Sequence, residues 1–199
     1  MARSAPKRGR RGGEPDEAVR RLEAQIRRAF ARTPRPFAAA LRDSNEGVEP
    51  FLVEKVFKNA GDWPALTPAF LDRAPEGYSS ALSFLSSEGF RYFLPAYLIA
   101  DLHGRLERQT PFFHLVHGLD DATHAEPVNR RRFGPRTWLD VCRHQFSVFT
   151  PAEARAIVAY LRHVARRDSF ERPAIQQALR RYWLARAHRP RRRPQRPRR

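Results

Sequence analysis

The sequence predicts a mainly α protein, a single compact helical domain built around a buried, proline-interrupted central helix. Three observations carry that expectation. On a helical wheel the stretch Ser86–Leu102 is apolar nearly all the way round: Phe90, Phe93, Leu94 and Tyr97 share one arc, and Tyr92, Leu98, Ile99 and Leu102 occupy the rest. A helix of that kind belongs inside a core rather than on a surface. Flanking segments repeat apolar residues at helical spacing, and 199 residues of which 41% are hydrophobic suffice for one domain with a core.

Residues 1–13 and 189–199 carry no acid and no apolar anchor, so both are expected to be disordered tails around a domain spanning 14–188. A helix starting at Pro15 has Glu14, Asp16 and Glu17 in its first turn and Arg27, Arg28 and Arg32 near its end, an order that suits the helix dipole. Its apolar stripe is Val19, Leu22, Ile26 and Phe30, and Thr33-Pro34-Arg35-Pro36 ends it. Phe37–Leu41 allows a short helix, and Asp43–Gly47 reads as a turn. Pro50 starts a helix with Phe51, Leu52, Val56 and Phe57 inside and Gly61 beyond its end. Thr67 caps a short helix from Pro68 to about Arg73, and another is expected over Gly77–Leu85.

In the central stretch Ser86 or Ser87 supplies the cap. Pro95 has no N–H to offer the Arg91 carbonyl, so either the helix kinks there or a second helix begins. Residues 104–149 are broken by glycines and prolines, with a helix over Trp138–His144. Thr150-Pro151-Ala152-Glu153 matches a capping box, opening a helix that buries Ala154, Ile157, Val158, Tyr160, Leu161 and Val164. Asp168 or Ser169 caps a last helix with Ile175, Ala178, Leu179, Tyr182 and Trp183 inside. Beyond it the Arg-Pro alternation should stay extended.

The segment Ala81–Leu98 holds Leu82, Phe84, Leu85, Glu88, Phe90, Arg91, Tyr92, Phe93, Leu94, Pro95, Tyr97 and Leu98 at fixed spacing. It is similar to the signature of an uncharacterised, mainly bacterial family of small proteins. Trp63 would match the tryptophan upstream of that signature, and Phe149–Leu161 the phenylalanine and amphipathic helix downstream. Family members often carry a glutamine early in that helix, where Glu153 and Ala154 stand here. The resemblance covers roughly residues 60–165; it implies one compact domain and supplies no catalytic residues.

Candidate chemistry falls into four groups. Glu88, Arg91, Tyr92 and Asp101 surround the Pro95 bend beside Tyr97, and Glu88 and Arg91 stand at pairing distance on a helix; a polar network fixing a buried helix is the reading preferred over a ligand site. His103, His114, His117, Asp120, Asp121 and His124 form a histidine-dense run, with His114, His117 and His124 as weak metal candidates; no established ligand spacing is present. Cys142, the sole cysteine, reads as a small buried apolar residue, and no disulfide is possible within the chain. No nucleophile elbow, phosphate loop or dinucleotide fingerprint occurs, and no cofactor is expected.

The fourth group is basic. Twelve of the formal +17 charges lie in the tails, including Arg189, Arg191, Arg192, Arg193, Arg196, Arg198 and Arg199. An extended arginine tail can track a phosphate backbone. Arg155, Arg162 and Arg166 along one helix, and Arg130, Arg131, Arg132, Phe133, Arg136 and Trp138, would extend that footprint, with an aromatic stacking on bases. Compositional bias competes with this, because 35 of the 38 basic residues are arginines. No base-reading motif is present, so such binding would be sequence-independent.

The first residues lack the apolar core of a secretory signal, and the run Tyr92–Ala100 has about half the ~20 residues of a membrane span. A cytoplasmic protein with no membrane partner is expected. The leading functional expectation is a non-enzymatic binding or interaction module with an unknown protein partner. A nucleic-acid or polyanion binder comes second, and a metal-dependent enzyme using the 103–124 histidines last.

Overall fold

The computed structural model describes residues 17–73 and 81–188. The fold is mainly helical, with no strand among the described residues, and one cluster of buried apolar side chains runs from Val19 to Ala187. The proposed tails, the start at Pro15 and the first part of the helix expected from Gly77 lie outside the described residues.

Helix α1, Glu17–Phe30, buries Val19, Leu22, Ile26 and Phe30, the four stripe positions at i, i+3, i+7 and i+11. A single 3-10 turn, Ala38–Ala40, stands where a short helix was expected. Helix α2, Glu49–Lys58, corrects the sequence reading of its inner face. Val53 and Phe57 are buried, whereas Phe51 and Leu52 are 45% and 38% exposed. The ring of Phe57 sets the choice by packing on Phe93 at 4.7 Å and Phe70 at 5.3 Å. Val53 lies one turn before Phe57 on the same face, and Phe51 falls on the far side. There the Arg42 guanidinium covers its ring at 4.5 Å.

Trp63 is buried in a 3-10 turn that packs on the central helix. Helix α3, Pro68–Arg73, opens with the Phe70 N–H donating to Thr67 Oγ1 at 3.2 Å. The described part of the expected Gly77–Leu85 helix is a 3-10 turn, Ala81–Ser83.

Helix α4, Ser87–Leu102, is the core helix, with eleven of its sixteen residues buried and Phe93 and Tyr97 wholly so. Ser86 caps it through Gly89 N–H at 3.0 Å. Gly89 sits in close quarters, since a Cβ there would stand 3.0 Å from the Leu41 carbonyl and 3.1 Å from Leu85. The helix passes through Pro95 without ending, so no second helix begins there. Packing on α1, α3 and the Trp63 turn holds the segment across its missing hydrogen bond.

Between the long helices lie α5 (Phe113–Val116), α6 (Arg130–Phe133) and α7 (Trp138–Gln145), the last with a full capping box between Thr137 and Asp140. Helix α8, Pro151–Arg167, has its predicted box, with Thr150 and Glu153 exchanging both bonds. It buries Ala154, Ile157, Val158, Tyr160 and Leu161 against α1 and the C-terminal helices, while Val164 is only half-buried. Helix α9, Arg172–Ala178, continues as a π-helical turn over Leu179–Trp183 into α10, Leu184–His188. Asp168 does not cap α9: its carboxylate accepts from Phe170 N–H and Glu171 N–H, shaping the turn before the helix. Tyr182 is half-buried, whereas Trp183 is fully inside.

Candidate functional site

The polar residues of α4 do not form one cluster. Arg91 donates from Nε to both oxygens of Glu153, at 3.1 and 3.0 Å, and from Nη2 to Oε1 at 2.9 Å. Glu153 is 1% exposed and also accepts from Thr33 Oγ1 at 2.7 Å and Thr150 N–H at 2.6 Å. The expected Glu88–Arg91 pair is therefore replaced. Glu88 is exposed and keeps its water, whereas the buried Glu153 carboxylate needs a cation close by. Tyr92 donates to Asp62 at 2.7 Å, and Asp101 accepts from Tyr160 at 2.7 Å. Because α4 is enclosed on all sides, these groups point to different neighbours and work as separate fastenings. Tyr97 is fully buried, and its hydroxyl has no hydrogen-bond partner among the described residues.

The histidine run is also dispersed. His103 meets Glu23 at 2.7 Å, and His124 Nδ1 lies 3.0 Å from the Asp120 carbonyl. The Asp120 carboxylate accepts from Ala122 N–H, Thr123 N–H and Thr123 Oγ1, while Asp121 pairs with Arg181 at 2.6 Å. Among the described residues no three His, Cys, Asp or Glu side chains converge as metal ligands would.

The basic candidates on α8, Arg155, Arg162 and Arg166, are all exposed, and Arg155 also donates to the Ala187 carbonyl at 3.0 Å. Arg189 and the arginines after it lie outside the described residues. Trp138 is half-buried against His117, with ring centroids 4.7 Å apart, so its ring is not an open stacking platform.

That contact belongs to a cleft between α5, α7 and the 81–83 turn, of about 230 Å³. Phe90 of α4 and Leu82 supply apolar lining. On one wall Phe113 stacks on His117 at 5.1 Å and 18°, and Phe113 itself is 51% exposed. The other wall is α7, where Trp138, Cys142 and Gln145 recur at i, i+4 and i+7 on one face. Gly118 lets the two walls approach: it has φ +79°, and a Cβ there would stand 2.6 Å from Cys142 Sγ. The Cys142 thiol donates to the His117 carbonyl at 3.3 Å, and burial, with Asp120 nearby, pushes it up to about 12. Burial, followed by the neighbouring His117, pushes His114 down to about 4, so this imidazole is neutral.

The C-terminal helices position the α5 wall. Trp183 Nε1 donates to the Leu115 carbonyl at 2.8 Å, and Arg181 donates to the Leu119 carbonyl at 2.6 Å. The π-helical turn carries both residues, a placement that helical periodicity alone does not anticipate. His114, His117, Trp138 and Cys142 stand out in the sequence for other chemistry, metal binding, base stacking or packing. Phe113 and Gln145 do not stand out. The α7 spacing was the available signal, but the irregular α5 segment facing it was not readable.

The helical domain has one core and carries a half-open cleft whose described lining residues bear no formal charge. The chain belongs to the Family of unknown function (DUF6714), which matches residues 19–187, a longer span than the central motif covers. No curated protein and no solved structure matches it.

Proposed function

We propose that the protein is a non-enzymatic binding module, and that the cleft between α5 and α7 is where its ligand enters. The carrying observation is the lining: in a chain of formal charge +17, none of the described residues lining this cleft carries a formal charge. Apolar walls with a few polar groups are the usual character of a small-molecule site. The Cys142 thiol, raised and bonded to a carbonyl, is a poor nucleophile, which favours binding over covalent chemistry. No described helix is long and apolar enough to cross a membrane. We place the protein in the cytoplasm on the strength of its lone cysteine, which suits a reducing compartment. The test is a thermal-shift screen of the full chain against small uncharged compounds, repeated with Ser83→Trp, which puts an indole at the exposed mouth. Hits abolished by Ser83→Trp support the reading. No hit, or hits indifferent to that substitution, overturns it.

A second reading rests on Arg162 and Arg166, which stand exposed on α8 without an acid partner among the described residues. Together with residues 189–199 they would hold nucleic acid or another polyanion independently of sequence. Gel shifts with mixed DNA and RNA at two salt concentrations, with and without that tail, test it. Salt-sensitive binding lost on truncation supports it; no binding at low salt removes it.

A further inference from the structure

Taking the cleft as the binding site, we infer that its ligand is an uncharged, planar aromatic or heteroaromatic ring bearing an amide-type edge, a donor beside an acceptor, read by His114 and Gln145.

Size sets the first limit. A cavity of about 230 Å³ is larger than the ~150 Å³ void that accepts benzene and smaller than the roughly 300–1,000 Å³ of sites for drug-sized ligands. One ring with a substituent, or two fused rings, fits that interval.

Shape sets the second. Phe113 and His117 lie nearly parallel, and Trp138 meets His117 at 66° on the opposite wall. Aromatic surfaces gain most from a flat guest that lies on or edges against them. Phe113, half-exposed at the entrance, is available to cover such a guest without dismantling the core.

Charge and hydrogen bonding set the third. The described lining residues offer no counter-ion, so a carboxylate or ammonium ligand would be desolvated without compensation from them. A neutral imidazole presents one donor and one acceptor, and a carboxamide presents both. Neither the His114 ring nor the Gln145 amide makes a hydrogen bond among the described residues, although both line the cleft. Both side chains are half-buried in the lining and open to water, and a ligand edge of alternating donor and acceptor replaces that water at both.

The test is NMR titration of the full-length, isotope-labelled chain with four probes: benzamide, benzoate, cyclohexanecarboxamide and toluene. The signals followed are the Gln145 side-chain amide, the His114 and His117 rings and the Trp138 indole. Benzamide is expected to shift all of them and to bind about tenfold more tightly than either benzoate or cyclohexanecarboxamide, the scale of one or two net hydrogen bonds or a stacked ring. Gln145→Leu is expected to weaken benzamide about fivefold while leaving toluene unchanged. Phe113→Ala, at an exposed position, should weaken benzamide and toluene. Benzoate equal to benzamide, or Gln145→Leu without effect on benzamide in a protein of unchanged melting temperature, overturns the inference. Binding by toluene or cyclohexanecarboxamide without preference for benzamide leaves the cleft as a binding site but removes the ligand class. Silence from all four probes removes the inference and counts against the cleft itself.

Discussion

Helices α4 and α8 hold their places by burying long runs of side chain, and they are joined through two polar links, Arg91 to Glu153 and Asp101 to Tyr160. Residues 104–149 between them have only short helices and rely on carboxylates that gather backbone N–H groups. Asp72, buried on α3, accepts from the amides of Glu107, Arg108 and Gln109 at 3.1, 2.8 and 3.1 Å, and Asp120 organises its own turn in the same way. A periodic segment satisfies its backbone within itself, while an irregular one must borrow acceptors from elsewhere. The cleft lies where the two kinds of structure meet, with α5 and α7 of the irregular part on its walls and Phe90 of α4 in its lining.

The largest test of that contrast is Glu153→Ala, which strands Arg91 beside a missing carboxylate and removes acceptors for Thr33 and Thr150. It is expected to lower unfolding free energy by about 3–5 kcal/mol in urea titration. Such a loss would exceed anything obtained from the irregular stretch by a single polar change.

Acid is expected to act next, on the cleft wall. His114 is held neutral when folded, with a value lowered from 6.5 to about 4, so the unfolded chain binds its proton more readily. Its contribution is present above the unfolded value, falls as pH drops from about 6.5 towards 4, and amounts to about 3 kcal/mol when fully lost. Denaturation of His114→Phe across this range should show a correspondingly flatter pH dependence; an unchanged slope would place the titration elsewhere.

Asp72→Ala should reduce stability by about 2 kcal/mol, since the three amides it releases are near enough to the surface to recover water. Hydrogen exchange should accelerate at Glu107, Arg108 and Gln109 while the centre of α4 stays protected. If α4 exchanges as fast, the loop and the core are one cooperative unit and the contrast fails. The smallest effect belongs to Glu88→Ala, within about 0.5 kcal/mol of the parent. A loss approaching that of Glu153→Ala would return the Arg91 partnership to its neighbour in sequence.

How far these features were legible follows the same division. Val19, Leu22, Ile26 and Phe30 declare the inner face of α1 because nothing but helical period is needed to read it. In the same way Thr150 and Glu153 declare the start of α8, and Thr67 and Pro68 that of α3. The inner face of α2 misleads because Phe51 looks like core, and only the positions of Phe93 and Phe70 show that Phe57 is the anchor. At the cleft, the α7 face is written at helical spacing, but its opposite wall is placed by Trp183 and Arg181, more than sixty positions away.

The order of residues along the chain settled the helical class, the capping boxes and the enclosure of the Ser86–Leu102 segment, since each depends on neighbours within a few turns. Folding in three dimensions decided which acid answers Arg91, which face of α2 turns inward and where an uncharged cavity opens. Those outcomes are set by the distance between atoms far apart in sequence, and strong pairing of buried charge depends on that distance, not on spacing along the backbone.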